Sequence, residues 1–127
     1  MSNYVVDASA ILALLNNEPG SEIVINVLTQ AVISSVNLSE VVAKLADNGI
    51  PEIEVREIIG TLGLEIINFD TEMSYRAGML RTLTRQAGLS FGDRACLALG
   101  ESLGLPILTT DRTWANLELG INVQVIR

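Results

Sequence analysis

Short apolar runs of strand length alternate along this chain with longer stretches of helical periodicity, and that alternation is its tightest constraint on fold. Strand-like runs fall at 4–6, 31–34, 64–69, 106–108 and 123–126. Between them lie amphipathic patterns. Ala10, Ile11, Leu14 and Leu15 open the first helix, and Ile23, Val24, Val27 and Leu28 mark the second. Leu38, Val41, Val42 and Leu45 mark the third, and Pro51 opens a fourth that carries Ile53, Ile58 and Ile59. Longer patterns run over 70–86 and 90–103, and a short one follows Asp111. Strands that alternate with helices build βαβ units with right-handed crossovers. The expectation is an α/β fold: a three-layer α/β/α domain around a central, mainly parallel five-stranded sheet. At 127 residues, with no repeat and no linker-like tract, the whole chain 1–127 reads as one domain.

Composition removes whole classes of chemistry. There is no histidine. That excludes His-ligated zinc, a Ser-His-Asp triad and a Cys-His pair. The one cysteine, Cys96, cannot form an internal disulfide, so a reducing, cytoplasmic setting is expected. Eight basic residues against fifteen acidic ones give a net charge of −7, which excludes a strongly basic nucleic-acid binder. A local basic patch, or a metal that reverses the local sign, stays open. No apolar run reaches the roughly 18 residues of a membrane span, and the start does not read as a secretory signal. Carboxylates, hydroxyls and arginines are left; Lys44 is the only lysine.

In a parallel sheet, strand C-termini and helix N-termini share one edge, and ligands bind there. Asp7 ends the first strand, and Asn37, Ser39 and Glu40 open the helix after the second. Asp70 ends the third strand, Asp93 lies in the first turn of the helix before the fourth, and Thr109, Thr110 and Asp111 end the fourth. Each acid has an ordinary structural explanation. Asp7, Asp70 and Asp111 fit helix N-caps, Asn37 through Glu40 fits a capping box, and Glu40 pairs at i,i+4 with Lys44. Asp93 differs, because Cys96, Leu97 and Gly100 share its helix stripe and should face the sheet. A carboxylate at the margin of a core needs a partner. Two carboxylates about 4 Å apart repel by roughly 4 kcal/mol at an effective dielectric of about 20. A converging set therefore calls for protons or cations. All-oxygen ligands favour Mg²⁺ or Mn²⁺, and a carboxylate-held metal suits phosphodiester hydrolysis.

Four segments carry a resemblance: Val5-Val6-Asp7-Ala8-Ser9, Asn37-Leu38-Ser39-Glu40-Val41, Leu89-Ser90-Phe91-Gly92-Asp93-Arg94-Ala95 and Leu108-Thr109-Thr110-Asp111-Arg112. In this order they resemble the four motifs of the PIN domain, and in its compact form the chain is similar to the VapC toxins of bacterial toxin–antitoxin pairs. The resemblance implies a Mg²⁺-dependent (or Mn²⁺-dependent) endoribonuclease. It makes Asp7, Glu40, Asp93 and Asp111 the acidic quartet that holds metal and carries catalysis. Ser9 and Thr109 are implied as supports, and Asp70 has no counterpart. It also implies an RNA substrate, a homodimer and a VapB-like antitoxin whose C-terminal segment lies in the active-site groove.

Without histidine, hydrolysis leaving a 5′-phosphate is the natural route, with water as nucleophile. Arg81 and Arg85 lie one helical turn apart, and Arg94 and Arg112 directly follow two quartet acids. All four are candidate contacts for RNA phosphates or the antitoxin, and ion pairs on a solvated face are the alternative for Arg81 and Arg85. Cys96 and Met79 read as core; Trp114 reads as core beneath the loop after Asp111, with stacking on a base as the alternative. A PIN-like RNA- or protein-binding module without turnover is the competing functional reading. The Asp7-Ala8-Ser9 sequence lacks the second acid of a phosphatase Asp-x-Asp, and no glycine fingerprint marks a dinucleotide or P-loop site.

Overall fold

The computed structural model describes residues 2–127. Strand β1 (Tyr4–Val6) leads into α1 (Ala8–Leu15) and α2 (Ser21–Val27); β2 (Ala31–Ser34) leads into α3 (Ser35–Asp47) and α4 (Glu52–Leu62). Next come β3 (Glu65–Ile67), α5 (Thr71–Thr84), α6 (Phe91–Leu103), β4 (Ile107–Thr109), a 3₁₀ turn (Arg112–Asn116) and β5 (Val123–Val125). The sheet order is β3-β2-β1-β4-β5, and every pairing is parallel. This is the expected three-layer α/β/α fold with a five-stranded sheet. The strands at 64–69 and 123–126 are trimmed at their ends.

Period-two alternation sends neighbouring strand residues into two cores. Val6, Ile33 and Leu108 pack against Ile11 of α1, Val24 of α2, Val41 and Leu45 of α3 and Val55 of α4. Val5, Val32 and Ile107 point the other way, onto Met73, Ala77 and Leu80 of α5, Cys96 and Leu97 of α6, and Trp114. Strands buried on both faces read as continuous apolar runs, which is why they were legible. β1 pairs with both β2 and β4. The chain moves outward from β1 on one side and then crosses to β4 on the other. A crevice opens beyond the strand C-termini at such a switch point.

Three local expectations are corrected. Helix α3 starts at Ser35, with Ser34 as N-cap accepting from the Val36 N–H, so Asn37 lies inside the helix and is no cap. Ser34 ends β2 and reaches the orphan donors first. Glu40 and Lys44 form no ion pair among the described residues; Glu40 bonds to Asn37 instead. Met79 is 69% exposed, because the buried stripe of α5 runs through Met73, Ala77, Leu80 and Thr84 and passes it by. Cys96 and Trp114 are buried as expected.

Candidate active site

At the switch point a cleft of about 320 Å³ is lined by Asp7, Glu40, Asp93 and Asp111, with Ser9, Asn37 and Lys44 beside them. The four acids come from four places in the chain: the end of β1, the middle of α3, the first turn of α6 and the end of β4.

Asp7 is the most rigidly held. It is buried and caps α1, its Oδ1 accepting from the Ala10 N–H at 2.9 Å and from the Ser9 hydroxyl at 2.6 Å. Its Oδ2 accepts from the Thr109 hydroxyl at 2.7 Å. Those hydroxyls use their lone pairs as well. Ser9 Oγ accepts the Thr110 N–H and Thr109 Oγ1 accepts the Asp111 N–H, so one network stitches the ends of β1 and β4 together. Burial pushes the Asp7 carboxyl above the ordinary carboxylate range. Hydrogen bonds from Ser9, Thr109 and Ala10 pull it back, and the nearby charge of Asp93 raises it again.

The other three acids each hold one oxygen and leave one free. Asp93 completes a capping box: its Oδ2 accepts the Ser90 N–H at 3.0 Å while Ser90 Oγ accepts the Asp93 N–H. Asp111 Oδ1 accepts from the Thr113 N–H and hydroxyl, capping the 3₁₀ turn. Glu40 Oε1 accepts from Asn37 Nδ2 at 2.8 Å. Asp93 Oδ1, Asp111 Oδ2 and Glu40 Oε2 have no hydrogen-bond partner among the described residues. Beneath the cleft, burial pushes the Cys96 thiol well above its usual range, and the charges of Asp7, Asp93 and Glu40 add to that effect. Capping and lining the cleft are thus compatible roles for the same residues.

The PIN domain family profile matches residues 4–119. The chain belongs to the PIN domain family. Solved structures agree in fold. A chain of the DNA-bound VapBC from Salmonella typhimurium is 22% identical at a TM-score of 0.76, with 98% of each chain covered. A toxin–antitoxin complex from Klebsiella pneumoniae contains a chain 18% identical at the same score and coverage. VapBC-1 from nontypeable Haemophilus influenzae gives 18% identity and a TM-score of 0.73, covering 95% of this chain and 96% of that one. No curated protein matches by sequence.

In this PIN domain the donor chemistry of the cleft suits a hard divalent cation. The donors are carboxylate oxygens, three of them unpartnered, in a cleft that contains one amine, Lys44. Among the described residues no three His, Cys, Asp or Glu side chains converge into a ready-made ligand set. Each acid is drawn toward its own cap or partner, and waters complete the shell of Mg²⁺ in such sites.

The four arginines singled out in the sequence do not line the cleft. Arg94 turns to α5, donating from Nη1 to the Ala77 carbonyl at 2.9 Å, and its guanidinium lies 5.9 Å from the Phe91 ring centroid. Arg112 Nε donates to the Arg127 carbonyl. Arg81 and Arg85 are exposed and unpaired among the described residues.

Two residues at the site were not recognised from sequence. Asn37 is buried between Glu40 and Gly92. At Gly92 a side chain would displace the Glu40 carboxylate: a Cβ there would lie 2.5 Å from Glu40 Oε1 and 2.6 Å from its Cδ. The available signal was a glycine inside a helix's first turn, which is less stable there than alanine by about 1 kcal/mol.

Proposed function

We propose that this PIN domain is a Mg²⁺-dependent endoribonuclease (Mn²⁺ substituting) and the VapC-like toxin of a toxin–antitoxin pair. The observation that carries the reading is the carboxylate cleft itself: four acids from separate elements, three with an unpartnered oxygen, at the ligand edge of a parallel sheet. Asp7, Glu40, Asp93 and Asp111 would hold the cation. Bound there, a divalent ion supplies a lowered pKa for water and positive charge opposite the departing 3′-oxygen. Ser9 and Thr109 direct their hydroxyl protons to Asp7, so they position a carboxylate and are not free nucleophiles. Water is then the attacking group, and the products carry 5′-phosphates.

Partners follow from the same reading. The similar chains from Salmonella typhimurium and Haemophilus influenzae come from VapBC structures. A VapB-like antitoxin segment fits the apolar groove of about 690 Å³ between α3 and α4, lined by Leu38, Val42, Ile50, Val55 and Ile59. Helix α3 separates that groove from the acidic cleft, which a basic antitoxin side chain would enter. Tyr75, Met79 and Leu83 form an apolar stripe at i, i+4 and i+8 on α5 and are 68–70% exposed, which favours a homodimer through this face. Of the four arginines, exposed Arg81, Arg85 and Arg112 remain free to grip RNA phosphates. The site of action in this reading is the cytoplasm. Among the described residues no helix is long and apolar enough to cross a membrane.

The test is cleavage of total cellular RNA by wild-type and Asp93→Asn protein, with Mg²⁺ or EDTA, followed by mapping of 5′ ends. An asparagine at 93 still accepts the Ser90 N–H, so the substitution removes charge and keeps the cap. Discrete cuts bearing 5′-phosphates that need both Asp93 and metal support the proposal. Products with 2′,3′-cyclic ends overturn it. Folded, Mg²⁺-binding protein that cuts nothing makes the chain a PIN-like binding module.

A further inference from the structure

Asn37 is 1% exposed on a helix that otherwise buries apolar side chains toward the sheet. Its Nδ2 donates to Glu40 Oε1 at 2.8 Å and to the Gly92 carbonyl at 3.0 Å. Both partners can only accept, so chemistry fixes the amide with its NH₂ toward them, and both N–H bonds are used. Its Oδ1 is buried with no partner among the described residues. The Gly92 carbonyl belongs to the first turn of α6, one residue before Asp93. One side chain therefore ties the acid of α3 to the turn that carries the acid of α6. Opposite it, the missing Cβ of Gly92 is the space in which the Glu40 carboxylate sits.

Without Asn37, the three methylene torsions of Glu40 would let its exposed carboxylate swing into solvent, where an ordered position costs side-chain entropy. The bond to a buried amide that is itself anchored on α6 removes that freedom before any cation arrives. We infer that Asn37 is a positioning residue of the cleft, holding Glu40 at a fixed place relative to Asp93 and so setting the cleft's affinity for a divalent cation. This rests on the reading of the cleft as a metal site. Groups that orient metal ligands in this way alter affinity by about 10- to 100-fold when removed.

The experiment is a Mn²⁺ titration, by calorimetry and without RNA, of wild-type, Asn37→Ala, Glu40→Ala and the double variant. Asn37→Ala is expected to weaken Mn²⁺ by about 10-fold or more. In the Glu40→Ala background the same change should have less than about a two-fold further effect, because the group it positions is gone. Single-variant losses that simply multiply in the double variant overturn the inference, since a general loosening of the fold acts whether or not Glu40 is present. Unchanged Mn²⁺ affinity in Asn37→Ala also overturns it, alone. Wild-type protein that binds no Mn²⁺ removes the metal-site reading and this inference with it. Should Asn37→Ala fail to fold, amide spectra of the wild type and Glu40→Ala decide. An Asn37 NH₂ pair protected from solvent exchange in the wild type, with the proton directed at Glu40 losing its protection in Glu40→Ala, is the supporting result; a freely exchanging pair in the wild type is the overturning one.

Discussion

Gly92→Ala probes the geometry of the cleft with a modest change in the stability of the fold. Gly92 has ordinary helical φ, so alanine is allowed by the backbone and gains about 1 kcal/mol of helix propensity. The new methyl carbon would stand 2.5 Å from Glu40 Oε1, and van der Waals contact starts near 3.4 Å. The carboxylate must therefore retreat by about 1 Å, and a misplacement of that size near the chemistry is worth about 100-fold in rate. Retreat also breaks the bond from Asn37, a charge-assisted one worth about 1.5–3 kcal/mol. The propensity gain offsets part of that loss, leaving a net loss of about 0.5–2 kcal/mol and a Tm drop of roughly 2–7 °C. The assay pairs a thermal melt with the rate of RNA cleavage and a Mn²⁺ titration. Gly60→Ala is the control, because Gly60 sits in α4 with nothing near its Cβ position. The control should gain stability and cleave as the wild type does. Wild-type cleavage and Mn²⁺ affinity in Gly92→Ala would refute the reasoning, and outright unfolding would refute the claim that Glu40 swings aside.

Other substitutions probe the remaining parts. Burial makes the folded chain hold the Asp7 proton more tightly than the unfolded chain does, so this group favours folding at low pH and that contribution is lost as pH rises through its raised value. Metal-free Asp7→Asn should accordingly melt above the wild type at neutral pH, with a gain that shrinks as pH falls through the raised value and is gone below about pH 4, as read by melts across pH. Mn²⁺ at about 100 times its Kd should stabilise the wild type by about 2.7 kcal/mol, roughly 10 °C in Tm, and Asp7→Asn by much less. Trp114 is fully buried but its Nε1 has no partner among the described residues. Denaturant unfolding should show Trp114→Ala losing about 3–5 kcal/mol and Trp114→Phe far less, since phenylalanine keeps the ring packing and removes an orphan donor.

The layers and the parallel sheet were legible because both faces of β1, β2 and β4 are covered, which writes itself into sequence as apolar runs; the strand order was not. Asp93 was legible for a related reason: its stripe continues through Cys96, Leu97 and Gly100, all buried. Asn37 was not. Ser34, Ser35, Asn37 and Ser39 are all competent N-caps; Ser34 takes the cap at the end of β2, and the partner that gives Asn37 its role, the Gly92 carbonyl, lies 55 positions away in the chain. Arg94 shows a second limit. It follows Asp93 in sequence, but successive helix residues point about 100° apart, and that rotation takes it to the Ala77 carbonyl of α5. Met79 was read from its chemistry as core, although the period through Met73, Ala77, Leu80 and Thr84 already left it outside.

Capping and cation binding draw on the same atoms at the same edge of the sheet. A helix start offers N–H groups that favour a carboxylate, and a strand end delivers one there. Asp7 and Asp111 each use that arrangement, and Asp93 completes the capping box in the first turn of α6, so the N-terminal ends of α1, α6 and the 3₁₀ turn bring three acids to one cleft as a consequence of folding. The helix ends lower the penalty of gathering like charges before any cation is present. Asp7 is buried enough for desolvation to prevail over its hydrogen bonds. Glu40 has no such support: it lies within α3, exposed, with no strand end and no orphan donor to hold it. The one acid of the four that the backbone does not position is the one held by a buried side chain from below and by a glycine's absent Cβ from across the cleft.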